Sequence, residues 1–316
     1  MKKFCVTFLK FILPIIIVTI GADLLFKFVV KNKTDFSLSN SVATIFLGHS
    51  QPEGAFNDSL IAHTKNLCNG GEAYLYSYKK LQIVLQHNPQ VKNVIISFSN
   101  NQIEKKMDEW TYDDEHLEQY FSKYNFQMNS EEYLKVLKNN PTGTLKAEFQ
   151  SIVHNAKSIV KRNNAFANNN FGGYLYLKRF KTDSLLKNNY IEKLRKEISD
   201  TISQTNIEYL KKMVTLCKEK KVAVFFVRTP IHNVLFNVLN EIEFQEIRKK
   251  EFNEIPFLDL HNFPLSNDEF GDFLHLNYKG AKKFSVFFND LLENGILESQ
   301  QPQQMINLEI GKSNLK

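Results

Sequence analysis

Thr44-Ile45-Phe46-Leu47-Gly48-His49-Ser50 decides how this chain is read. Four residues with β-branched or bulky apolar side chains form a short buried strand. Gly48 breaks it, and a serine follows two residues later. Open α/β folds place their sites beyond the carboxyl ends of parallel strands. A serine there can present its hydroxyl as a nucleophile, or simply cap the helix that follows.

Outward from this stretch, strands and helices alternate. An extended segment at 65–68 ends at Asn69-Gly70-Gly71, and residues 72–86 carry Ala73, Tyr76, Leu81, Val84 and Leu85 at helical spacing. Val94-Ile95-Ile96-Ser97-Phe98 is the next strand and ends at Ser99-Asn100-Asn101. The pattern then predicts one long helix over 191–220, a strand over 222–227, a helix over 234–251 and a last strand over 256–260. A terminal helix over 279–292 follows, with Asn277 as its N-cap. Strand–helix alternation of this kind builds a parallel sheet with crossover helices. Residues from about 104 to 190 break the rhythm. They read as a mostly helical insertion whose aromatics pack a small subdomain core, rather than line a carbohydrate surface.

The 316 residues, 43% hydrophobic, suffice for one large α/β domain, here 41–297. The net charge of +6 is spread among acidic residues without a basic stripe, which argues against a nucleic-acid partner. Lys2 and Lys3 precede a largely apolar stretch interrupted by Lys10, Asp23 and Lys27. Residues 1–31 are therefore expected to be an uncleaved signal anchor, with the lysines inside and the domain outside the cytoplasm. Residues 32–40 are a polar linker, and 298–316 a polar tail expected to stay unstructured. Cys68 and Cys217 are able to pair in an oxidising compartment, and no Cys/His spacing suits zinc.

A serine nucleophile needs a base and an acid that orients the base. Asp272 and His275 stand three apart in the loop after the last strand, a spacing that lets the carboxylate reach Nδ1 of the imidazole. His49, beside Ser50, needs an unusual turn to serve as base, so His275 is preferred. Asp259 ranks second to Asp272 as the acid, and His232 reads as a packed loop histidine.

Together, Gly48-His49-Ser50-Gln51-Pro52-Glu53-Gly54 and Asp272-Phe273-Leu274-His275-Leu276-Asn277 resemble the first and last sequence blocks of the SGNH, or GDSL-like, hydrolase superfamily. His49 stands where that family usually has aspartate, and its third-block Gly-x-Asn-Asp is absent. The resemblance implies a flavodoxin-like three-layer α/β sandwich and a Ser50–His275–Asp272 triad. It also implies oxyanion or substrate contacts from a second-block glycine, Gly71 or its neighbour Gly70, and from a third-block asparagine, Asn100 or Asn101. By the same resemblance the activity is that of an esterase or O-acetyltransferase acting without a cofactor on acylated carbohydrate or polysaccharide. A separate membrane protein would donate the acyl group. The other class is a non-catalytic SGNH-fold component that binds polysaccharide in an export machine.

Overall fold

The computed structural model describes residues 2–33, 35–160, 171–188, 190–197 and 201–313. In chain order the main elements are α1 (Lys2–Lys33), β1 (Thr44–Leu47), α2 (Ser50–Ala55), β2 (Thr64–Asn66), α3 (Tyr74–His87), β3 (Asn93–Ser97), α4 (Ser130–Asn139), α5 (Pro141–Val160), α6 (Gln204–Lys220), β4 (Ala223–Arg228), α7 (Glu241–Phe252), β5 (Phe257–Asp259), α8 (Tyr278–Glu293) and α9 (Pro302–Ser313). Contacts divide the chain into two compact units: Met1–Phe36 with Tyr112–Asn170, and Ser37–Thr111 with Phe171–Lys316.

The second unit holds a five-stranded parallel sheet of order β2-β1-β3-β4-β5, the flavodoxin-like order. The connection from β1 to β2 steps one way, and every later step goes the other. Right-handed crossovers then put α2 on one face and α3, α6 and α7 on the other. Alternation along β4 serves both faces. Phe225 and Val227 join Phe46, Ile95 and Leu258 in the core beneath α8, where Ala281, Phe284 and Phe288 pack. Phe226 turns the opposite way, onto Phe98 and Phe252. Burial on both faces explains why the central strands β1, β3 and β4 read as largely apolar runs.

Three expectations are corrected. The helix expected over 191–220 is interrupted, and 198–200 lie outside the described residues. Ile202 forms an antiparallel bridge with Glu104, and Ser203 caps α6 by accepting from the Asn206 N–H, so α6 starts at Gln204. The polar tail folds: α9 buries Ile306, and Gln303 bonds both the N–H and the C=O of Asp259. That contact occupies backbone groups of the edge strand β5, a role its glutamine-rich composition conceals. Cys68 and Cys217 are both buried and both free.

The other unit takes Tyr112–Asn170 of the insertion, with 161–170 outside the described residues. The insertion's flanks at 104–111 and 171–190 belong to the sheet unit instead; residue 189 is not described. Tyr120, Phe121 and Tyr124 are fully buried, and α1 lies within this unit. Its segment Lys10–Asn32 is long and apolar enough to cross a membrane, with a mean hydropathy of 2.2.

Candidate active site

Gly48 makes the turn that exposes Ser50. Its φ of +155° suits glycine, and a Cβ there would lie 2.6 Å from Ser97 Cβ and 2.8 Å from Pro52 Cγ. The chain can therefore leave β1 and enter α2 within two residues only because no side chain stands at 48. Asn66 on β2 holds α2 in place, since its Nδ2 donates to the carbonyls of Pro52 and Phe56.

His49 caps α2, and its Nδ1 accepts from the Gln51 N–H at 3.3 Å. Its ring packs edge-on against Trp110. Burial, reinforced by repulsion from His275, lowers its pKa to about 3, so it is neutral at physiological pH. With Nδ1 engaged by the backbone, His49 is a structural cap beside the serine.

The loop after β5 supplies the partners. Gly271 N–H donates to the His275 carbonyl, and Asp272 Oδ1 accepts from the Leu274 and His275 N–H groups, each at 2.9 Å. This tight turn carries His275 Nδ1 to 2.8 Å from Asp272 Oδ1. Nε2 then faces Ser50 Oγ, also at 2.8 Å, across 225 residues of sequence. With the ring proton on Nδ1, Nε2 accepts from the serine hydroxyl. Burial alone would raise the Asp272 pKa, but the hydrogen bond and charge of His275, the Leu274 N–H and the charge of Arg179 outweigh it and hold the carboxyl below its usual range. His232 buttresses the loop from below: its N–H donates to the Phe273 carbonyl and its ring packs on Phe270 and Phe273.

Arg179 escaped the sequence reading. Its Nη2 lies 2.8 Å from Asp272 Oδ2. It comes from an extended strap, 171–181, that crosses the carboxyl edge of the sheet. Gly173 N–H donates to the Cys68 carbonyl, Leu175 N–H to Glu53, and Lys181 N–H to Gly271, while Leu177 accepts from Tyr278 N–H. Near its start stands Gly172, whose φ of +108° and contact with the Cys68 carbonyl exclude any side chain. Against the expectation that the aromatics of 104–190 pack a core, Tyr176 is 54% exposed and stacks on Tyr278 with ring centroids 4.9 Å apart, and Phe180, also exposed, meets the same ring edge-on. An aromatic ledge thus stands three residues beyond His275.

The other expected contacts divide. A Cβ built on Gly70 would lie 3.1 Å from Glu53 Oε2 and 3.7 Å from Ser50 Cβ, so Gly70 stands beside the serine. Gly71, at φ +74°, serves the turn that closes with Glu72 N–H on the Asn69 carbonyl. Both ends of the Asn100 side chain are engaged by charged neighbours. Its Nδ2 donates to Glu241, and its Oδ1 accepts from Arg228 Nη1 at 3.0 Å. Asn101 Oδ1 accepts from Ser99 Oγ. Arg228, 2% exposed, ties Asn100 and Glu241 to Asp259. This makes Asp259 part of an ion cluster around the buried Arg228 guanidinium at the ends of β4 and β5, and leaves Asp272 as the carboxylate on His275.

A protein-family model that carries no functional description matches residues 162–297, less than half of the chain. No curated protein matches the sequence. Among solved structures, a candidate acylhydrolase from Bacteroides fragilis is similar at a TM-score of 0.37 and 12% identity, over 84% of this chain and 93% of that one.

Proposed function

We propose that this protein is a membrane-anchored, SGNH-type serine acyl hydrolase or O-acyltransferase that works outside the cytoplasm on acylated carbohydrate. The hydrogen-bonded series Ser50 Oγ–His275 Nε2 and His275 Nδ1–Asp272 Oδ1, at 2.8 Å in each step, carries the proposal. Ser50 attacks the acyl carbonyl while His275 takes its proton, and His275 returns that proton to the departing alcohol. Asp272 holds the tautomer and stabilises the imidazolium. The Ser50 N–H is one oxyanion donor, and Gly70 keeps the space beside the serine clear for the acyl group. Water as acceptor gives hydrolysis, and a sugar hydroxyl gives transfer. The Tyr176–Tyr278 ledge supports a carbohydrate, because sugar rings present apolar faces to aromatic rings. The apolar α1 supports anchoring, with Lys2 and Lys3 inside and a membrane-embedded acyl donor as partner.

A serine-directed fluorophosphonate tests the reading. Wild type is expected to label, and Ser50→Ala to lose the label. Acetyl transfer to an acceptor oligosaccharide then separates transferase from esterase. The engagement of Asn100 by Arg228 and Glu241 favours the second reading, a polysaccharide-binding component without catalysis. An unlabelled wild type that still binds oligosaccharide would select it.

A further inference from the structure

We propose that the outward face of α5 is a second membrane contact, seated in the lipid interface where α1 leaves the bilayer; the inference rests on α1 being a span. Along α5, Leu145, Phe149 and Val153 recur every four residues and are exposed at 62%, 64% and 37%. The next four-residue position is the exposed Lys157, and Ile159, two residues further on, restores an apolar side chain at 37% exposure. The opposite face is buried and carries small or polar residues: Thr144, Ala147, Ser151 and Asn155. Ser151 Oγ bonds Asn125 within the unit. An apolar stripe flanked by the exposed Lys146, His154 and Lys157 is the distribution of a helix lying at a lipid interface. An apolar stripe of about 21 Å, at 1.5 Å rise per residue, suits a helix lying in the headgroup boundary.

Its place beside α1 selects lipid as the occupant. Lys27 Nζ lies 2.7 Å from Asp23 Oδ2 and 2.5 Å from Glu148 Oε1, so Glu148, between Leu145 and Phe149, pins α5 to α1 one turn beyond Ala22. All three charged side chains are less than one-fifth exposed. From there on, one side of α1 is packed, with Val30 buried, while Leu24, Leu25 and Phe28 stay exposed on the other. Before it, Phe11, Ile15 and Val18 are all more than 60% exposed. Because this charged cluster falls inside the apolar segment Lys10–Asn32, the hydrocarbon-buried part shifts toward the N-terminus, to residues 4–22, about 28 Å of helix, which matches a core of about 30 Å. Lys10 within it reaches the headgroups by extending its side chain. The Asp23–Lys27–Glu148 cluster marks the boundary, and the α5 stripe continues the apolar surface of α1 outward from it.

The full-length protein with Cys5→Ser provides the test, since Cys68 and Cys217 are buried. An environment-sensitive fluorophore is attached in turn through Ile16→Cys, Phe149→Cys and Lys138→Cys, and each product is reconstituted into phosphatidylcholine–phosphatidylglycerol liposomes. Labels at 16 and 149 are expected to be quenched by doxyl-labelled lipid and shielded from iodide, with the label at 138 showing the opposite. A label at 149 that iodide reaches and doxyl lipid does not, with 16 still in lipid, overturns the docking and leaves the span intact. A label at 149 shielded from both quenchers overturns lipid in favour of a second copy. A label at 16 that iodide quenches overturns the span and the docking together.

Discussion

Arg179 Nη2 lies 2.8 Å from Asp272 Oδ2, on the carboxylate oxygen that His275 leaves free. The arginine therefore fixes the carboxylate plane and balances the charge of the Asp272–His275 pair. Arg179→Ala is expected to slow fluorophosphonate labelling about tenfold, the scale of one charge-assisted hydrogen bond in a partly solvated site. The sign in pH follows from charge: without the guanidinium, Asp272 loses one of the charges that hold its carboxyl below its usual range, so it protonates at a higher pH and the acid limb of the labelling profile moves to higher pH. Arg179→Lys should recover most of the rate. A rate lost equally at every pH would make Arg179 merely structural.

His49 and His275 are the two histidines near the serine, and they separate cleanly by experiment. His275→Asn should abolish labelling, a loss of about four orders of magnitude or more. His49→Asn should retain it, because asparagine also caps a helix and only the packing on Trp110 is lost, at a cost of about 1 kcal/mol. Labelling rates and urea midpoints on both variants decide the assignment.

Gly48→Ala tests the turn itself. Its Cβ would meet Ser97 Cβ at 2.6 Å, a contact that must be relieved by moving β3 or α2. Overpacking and the positive φ together should cost about 3 kcal/mol, read from urea unfolding. A variant as stable as wild type would show that the strand end is plastic.

The cluster around the buried Arg228 sets an acid limit. Burial opposes ionisation of Asp259, but hydrogen bonds from His261 and Arg228 outweigh it and lower its pKa to about 2. A carboxyl of depressed folded pKa contributes stability that is fully present above the unfolded value of about 4, and that stability is lost as pH falls through about 2. Urea midpoints should therefore fall with pH in that window, and less steeply for Asp259→Asn, which is already weaker at pH 7. Arg228→Met leaves two carboxylates without their cation and should cost about 3 kcal/mol. A pH slope that is the same with and without Asp259 would remove this cluster as the cause.

Some of the fold and site was legible because it is local. Val222-Ala223-Val224-Phe225-Phe226-Val227 reads as a doubly buried strand from composition alone, and it forms β4. Asp272 and His275 meet through a turn closed by their own backbone groups, so their spacing suffices to foresee the contact. The break before α6 was hidden because Ile202 fits the apolar period of the helix while its backbone pairs with Glu104. The folding of α9 was hidden because its glutamines look solvated, whereas Gln303 satisfies the edge of β5.

By itself, then, the sequence determined the parallel α/β class, the serine at the end of β1 and the Asp-x-x-His turn, all carried by periodicity or by spacing within a few residues. Only the tertiary structure decided that Arg179 holds Asp272, that Gly70 stands beside Ser50, and that Asn100 belongs to Arg228 and Glu241. These contacts form where loops from separate strands converge on one sheet edge. Their partners are set by strand order and strap path, and no local spacing encodes either.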